Sequence, residues 1–148
     1  MRLPLIENTN KKQHNEQTIN KWKKLTISAN NSCREGNLFY ANCLYEKAAE
    51  KAKQLFVKLA CNKDSISILI ISFRNLAYFH LTYNNRRYVR ECLCELIHCL
   101  NNRLKQNLGD EDDKAALSWG ITQAKQQLWI IENTLKCSSL ERELHTIN

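Results

Sequence analysis

Glycine and proline are almost missing from this chain, at three and one among 148 residues. Such scarcity of turn formers excludes a fold of many short strands and favours long helices with short connections. Gly36, Gly109 and Gly120 stand alone, so no run of glycines offers a phosphate a cradle of backbone N–H groups. Paired carboxylates and a serine elbow are missing too, and the chain is not expected to be an enzyme or to carry a cofactor. No run approaches the roughly 18 apolar residues of a membrane helix. The densest, residues 66–77, is broken by Ser67, Ser72, Arg74 and Asn75. The first seven residues hold no apolar segment long enough for a secretory signal. The seven cysteines are odd in number and follow no disulfide framework. Most fall on apolar faces of the expected helices, which predicts buried reduced thiols and a cytoplasmic protein.

Charge is plentiful and lopsided. The net charge is +7, and residues 1–60 hold 11 Lys/Arg against 5 Asp/Glu, whereas residues 61–148 hold 11 against 10. A basic first half suits an acidic protein surface, a nucleic acid or an anionic peptide end, and serves equally as a solubilising surface.

Hydrophobic periodicity organises the chain into five helices around residues 22–59. Ile19, Trp22, Leu25, Ala29 and Cys33 form one stripe. Leu38, Ala41, Tyr45, Ala48, Ala52, Leu55 and Leu59 form a second, with spacings alternating between three and four. The turn at Glu35-Gly36-Asn37 folds the first helix (from residue 16 or 18 to 34) back on the second (38–61). Ala29, Ala41, Ala48 and Ala52 fall where the two backbones come closest. A third helix, capped by Asp64 or Ser65, runs to about residue 83 and is apolar on most sides, as a central helix must be. Its β-branched run at 66–71 does not make a strand, because helical spacing continues and no second strand exists to pair with it. Asn84-Asn85 turns into a fourth helix (86–107) with Val89, Leu93, Leu96, Leu100 and Leu104 inward, ended by Gly109. The acidic run 110–113 opens a fifth, through Leu117, Ile121, Ala124, Leu128, Ile131 and Leu135 to about residue 136. One domain is expected over residues 16–137, between a flexible arm at 1–15 and a tail at 138–148 that adds at most a short helix through Leu140 and Leu144.

The chain matches itself weakly at an offset of 48 residues. Ala29 falls on Ala77, Gly36-Asn37 on Asn84-Asn85, Tyr40 on Tyr88 and Leu44 on Cys92. Two hairpins plus a closing helix follow.

At Gly36-Asn37-Leu38-Phe39-Tyr40-Ala41, then Tyr45 and Ala48, the chain resembles the tetratricopeptide (TPR) repeat, with Leu25, Ser28 and Ala29 at first-helix positions. The second hairpin matches at Asn75-Leu76-Ala77 and Tyr88 but lacks the later alanines. Neither hairpin has the terminal proline, and the 48-residue spacing exceeds the family's roughly 34. The chain is also similar to small bacterial TPR-like proteins built as two hairpins and a final helix. This resemblance implies an all-α, right-handed stack of two antiparallel hairpins with a closing helix. It implies a protein- or peptide-binding adaptor or scaffold whose concave face is lined by the first helix of each hairpin.

By position the resemblance places Asn30 and Asn75 at peptide-binding asparagines, with Arg74 beside the second and Tyr78 one turn on. Asparagine offers a donor and an acceptor to a peptide backbone, and a cation pairs with a carboxylate. Thr26 stands where a lysine is expected, so Lys23 or Lys114 would supply that charge. The same asparagines would serve as a polar pair between helices. The expected partner is a protein or peptide, an acidic segment or a C-terminus among the choices, and an exposed apolar helix face would make a homodimer. No membrane partner is expected.

Two other clusters carry less. Cys92, Cys94, His98 and Cys99 resemble metal ligands by type, but their helical spacing points them in two directions, whereas a zinc site needs convergence. Arg86, Arg87 and Arg90 gather at a helix start, where the helix dipole disfavours cations, and Lys21, Lys23 and Lys24 form a second basic group. Both suit phosphates, which keeps nucleic-acid binding as the alternative function, although no nucleic-acid motif is present.

Overall fold

The computed structural model describes the backbone of residues 4–59, 61–106 and 110–146, and side-chain surroundings within 9–59, 61–106 and 110–134. Over these residues the chain is all-α. Its five helices are α1 (Pro4–Arg34), α2 (Leu38–Lys58), α3 (Lys63–Thr82), α4 (Arg86–Gln106) and α5 (Glu111–Thr146). They stack in two layers. Helix α2 packs against both α1 and α3, α4 packs against both α3 and α5, and α3 also touches α5. The odd helices therefore form one layer and the even helices the other.

The turns follow from local chemistry. Gly36 sits at φ 80° and Asn84 at φ 60°, the left-handed backbone that closes a helix. Asn37 caps α2 by accepting from the Tyr40 N–H. The cap of α3 is Asn62, not Asp64 or Ser65. Asn62 Oδ1 accepts from the Ser65 N–H at 3.0 Å, while Ser65 Oγ accepts from the Asn62 N–H at 3.2 Å. This reciprocal box stabilises the turn from both sides. It also explains why α2 stops at Lys58 rather than at residue 61: Leu59 is already extended (φ −80°, ψ 154°) to feed it. Asp110 opens α5 by accepting from the Asp112 N–H at 3.0 Å. The expected stop at Gly109 lies outside the described residues.

Both end helices are longer than the periodicity indicated. Helix α1 begins at Pro4, a residue pre-set for a first helical position, and runs through the stretch assigned to an arm. Residues 9–14 are exposed. They carry no apolar stripe to announce a helix, but lysine and glutamine are good helix formers. Helix α5 likewise continues unbroken through residues 138–144 to Thr146.

Burial explains the stack. Helix α3 is its centre: Ile66, Leu69, Ile70, Phe73, Leu76 and Ala77 are all buried, on more than one face. Against it lie Leu93, Leu96 and Leu100 of α4 and Leu117, Ala124 and Ile131 of α5. The α1–α2 seam is made of small residues, Ala29, Ala41, Ala48 and Ala52, all buried. Trp22 ties α1 to α3. Its indole N–H donates to Ser72 Oγ at 2.6 Å, and Ser72 Oγ donates on to the Ile68 carbonyl at 2.8 Å. Across the even layer, Lys53 pairs with Glu95 at 2.8 Å and Arg103 lies over the Phe56 ring. Helices α3 and α5 approach so closely at Gly120 that an added Cβ would stand 2.6 Å from Ile66 Cγ2.

The cysteines are less buried than their apolar neighbours suggested. Cys61 and Cys92 are buried, Cys33, Cys43 and Cys99 half-buried and Cys94 exposed, and all six are free thiols. Among the described residues, no helix is long and apolar enough to cross a membrane.

Candidate functional site

The residues singled out from the sequence lie on α1, α3 and α5, the odd layer, but the structure gathers only some of them. Asn75 and Tyr78 line a groove of about 190 Å³ between the C-terminal halves of α1 and α3. Its other walls are Cys33, Tyr45, Phe79, Thr82 and Tyr83. Tyr78 is held against α5, its hydroxyl donating to Gln127 Oε1 at 3.3 Å. The Asn75 amide makes no hydrogen bond to a described residue, so it is available to a ligand. Arg74 stands beside it, half-buried and without an ion pair among the described residues.

Asn30 is differently employed. Its side-chain oxygen accepts from the Tyr45 hydroxyl at 2.7 Å, which makes it a polar tie between α1 and α2. Thr26 donates to the Trp22 carbonyl one turn back at 3.0 Å. Lys23 is exposed, ten residues before Cys33 and so about 15 Å along the helix axis. Lys114 is far from the groove. It lies thirteen residues before Gln127, about 20 Å along α5, and pairs with Glu111 at 3.6 Å. Neither lysine replaces the cation expected at Thr26.

An aromatic ladder underlies the groove. Phe79 packs between Tyr45 and Tyr83 with centroid distances of 5.5 and 5.0 Å, and meets His80 edge-on at 5.5 Å. His80 stacks on Tyr88 of α4 at 4.7 Å. Burial raises the pKa of Tyr45, helped by the neighbouring Cys33 thiol. Burial lowers that of His80 and outweighs the opposite pull of Glu46. The buried His80 Nε2 has no hydrogen-bond partner, so the ring is neutral and acts as a stacking surface.

Sequence reasoning missed Phe79, Thr82, Tyr83 and Cys33 as groove residues. A signal existed in Tyr78, Phe79 and Tyr83, which crowd one end of α3. Chemically, the groove offers apolar aromatic walls for a side chain and one amide for a peptide backbone. It holds no nucleophile paired with a base. In the other cysteine-rich region, Cys92 is buried, and burial with Glu95 and Glu91 pushes its thiol up to about 11. Cys94 is exposed and His98 bonds Asn102. No group of three metal-ligating side chains converges among the described residues.

Residues 20–148 match the family model DUF2753, described as a protein of unknown function. The match takes in all five helices, α1 from Asn20 onward, and the chain belongs to this family. Neither a curated relative nor a solved structure matches the chain.

Proposed function

We propose that this member of DUF2753 is a TPR-like adaptor that binds a protein or peptide segment on the surface of its odd helices. The observation that carries the reading is the groove at Asn75 and Tyr78, where an uncommitted amide borders an aromatic slot on an otherwise packed layer. Aromatic walls bury a partner's apolar side chain at low entropic cost. The amide, with Arg74 adjacent, holds the partner's backbone or an acidic group. Asn30 supports the site through Tyr45. The double variant Arg74→Ala/Asn75→Ala is expected to weaken capture of an identified partner about tenfold while helical circular dichroism stays unchanged. Unaltered capture would remove the groove as the site.

One observation favours a second reading, binding to nucleic acid. Lys11, Lys12, Lys21, Lys23 and Lys24 of α1 are all exposed, and among the described residues none forms an ion pair. That reading predicts retardation of generic DNA or RNA that falls steeply with salt. No retardation at about 50 mM salt would count against it.

A further inference from the structure

The stack ends unfinished. Helix α2 lies against α1 and α3, and α4 lies against α3 and α5. Each even helix thus covers an odd one and touches the even helix before it, as Lys53–Glu95 and Phe56–Arg103 show. Helix α5 is odd, and among the described residues no even helix follows it. Where that helix would lie, against α5 and alongside α4, a cleft of about 790 Å³ stands open. Its floor is apolar, with Val89 and Ile131 buried and Leu128 half-buried.

The rim of the cleft has a sign. Arg86, Arg87 and Arg90 project from the first turns of α4, which carry no acid in the opening turn. Two glutamates answer three arginines, through Arg87–Glu91 at 3.0 Å and Arg90–Glu132 at 3.7 Å, both exposed pairs. Exposed pairs contribute little and exchange readily. The positive end of the α4 dipole adds to the same side. Cations at a helix start are unfavourable there unless an anion comes to meet them.

We propose that this cleft receives an acidic amphipathic helix from a partner protein, seated as the missing second helix of the third hairpin. Apolar residues at i, i+3, i+4 and i+7 would cover Val89, Leu128 and Ile131, and flanking carboxylates would take the arginines over from Glu91 and Glu132. The surface is separate from the groove at Asn75, and the proposal does not rest on that site.

The test uses the full chain and a fluorescent helical peptide of about 20 residues, the length of α4. It carries leucines on one face and glutamates beside them. Saturable binding by anisotropy is expected, weakened about tenfold or more by Arg87→Glu/Arg90→Glu and unchanged by Asn75→Ala. Cys94 lines the cleft and is exposed, so bound peptide should slow its alkylation by a maleimide. A peptide of the same composition with its leucines scattered should bind about tenfold or more weakly. Equal binding of the scattered peptide would reduce the effect to charge attraction and overturn the proposal. So would the absence of saturable binding, indifference to the arginine variant, or unslowed alkylation of Cys94. If raising the protein concentration alone protects Cys94 and sedimentation shows a dimer, the occupant is a second copy and the proposal fails.

Discussion

Moving along the chain by 48 residues brings Ser32, Gly36 and Asn37 onto His80, Asn84 and Asn85. In the first hairpin the Asn37 N–H donates to the Ser32 carbonyl at 2.9 Å, and the Gly36 N–H to Cys33 at 3.2 Å. In the second, the Asn85 N–H donates to His80 at 2.9 Å, and the Asn84 N–H to Leu81 at 3.1 Å. The two turns are one device, a Schellman closure with a left-handed residue at its corner. The seams differ. Helix α2 presents Ala41, Ala48 and Ala52 where α4 presents Val89, Leu96 and Leu100, all buried. Close backbone approach holds the first hairpin, and side-chain volume holds the second. The second also buries a histidine where the first buries a serine.

Each difference can be reversed. The largest effect should come from Leu96→Ala, which puts the first hairpin's residue into the second and opens a cavity among fully buried neighbours. A loss of about 2–5 kcal/mol is expected by denaturant unfolding. The reciprocal change, Ala48→Leu, overpacks the alanine seam and should cost about 1–3 kcal/mol. Equal tolerance of both would mean that the seams are not specialised.

The buried histidine makes only the second hairpin sensitive to pH. Burial lowers the folded-state pKa of His80 below its ordinary 6.5. The unfolded chain therefore binds more protons as pH falls past that value, and stability drops there. It is retained in full above pH 6.5 and lost on acidification toward the folded pKa. In His80→Phe the drop between neutral pH and pH 5 should shrink, read from melting temperatures across that range. The smallest effect belongs to the corners. Gly36→Asn, which copies Asn84, should cost less than about 1 kcal/mol, because asparagine tolerates the left-handed region.

Much of this was legible in the sequence because helical burial is periodic. The stripes of α2, α3 and α4, both turns and the repeat at 48 residues all follow from it. Three things were not legible. The full lengths of α1 and α5 are hidden because residues 9–14 bury nothing and so leave no stripe. The α3 cap was misplaced because Asn62 lies in a short break where Asp64 and Ser65 are equally good capping types, and only geometry selects the Asn62–Ser65 box. The binding face was legible as a layer but not as a site. Periodicity says that Asn30, Asn75 and Lys114 belong to odd helices. It does not say that Asn30 serves Tyr45, or that Lys114 lies about 20 Å along α5 from the level of Tyr78.

The TPR-like reading of this family turns on whether the odd layer meets a partner and the even layer does not. Tyr78 and Val57 are both exposed, one in the groove and the other on α2. A photo-crosslinking residue placed at each position in turn, in the native cell, compares the two layers directly. The adaptor reading predicts a discrete protein adduct from position 78 that diminishes in the Arg74→Ala/Asn75→Ala background, and none of that mass from position 57. The same adducts from both positions, or none from position 78, would contradict it.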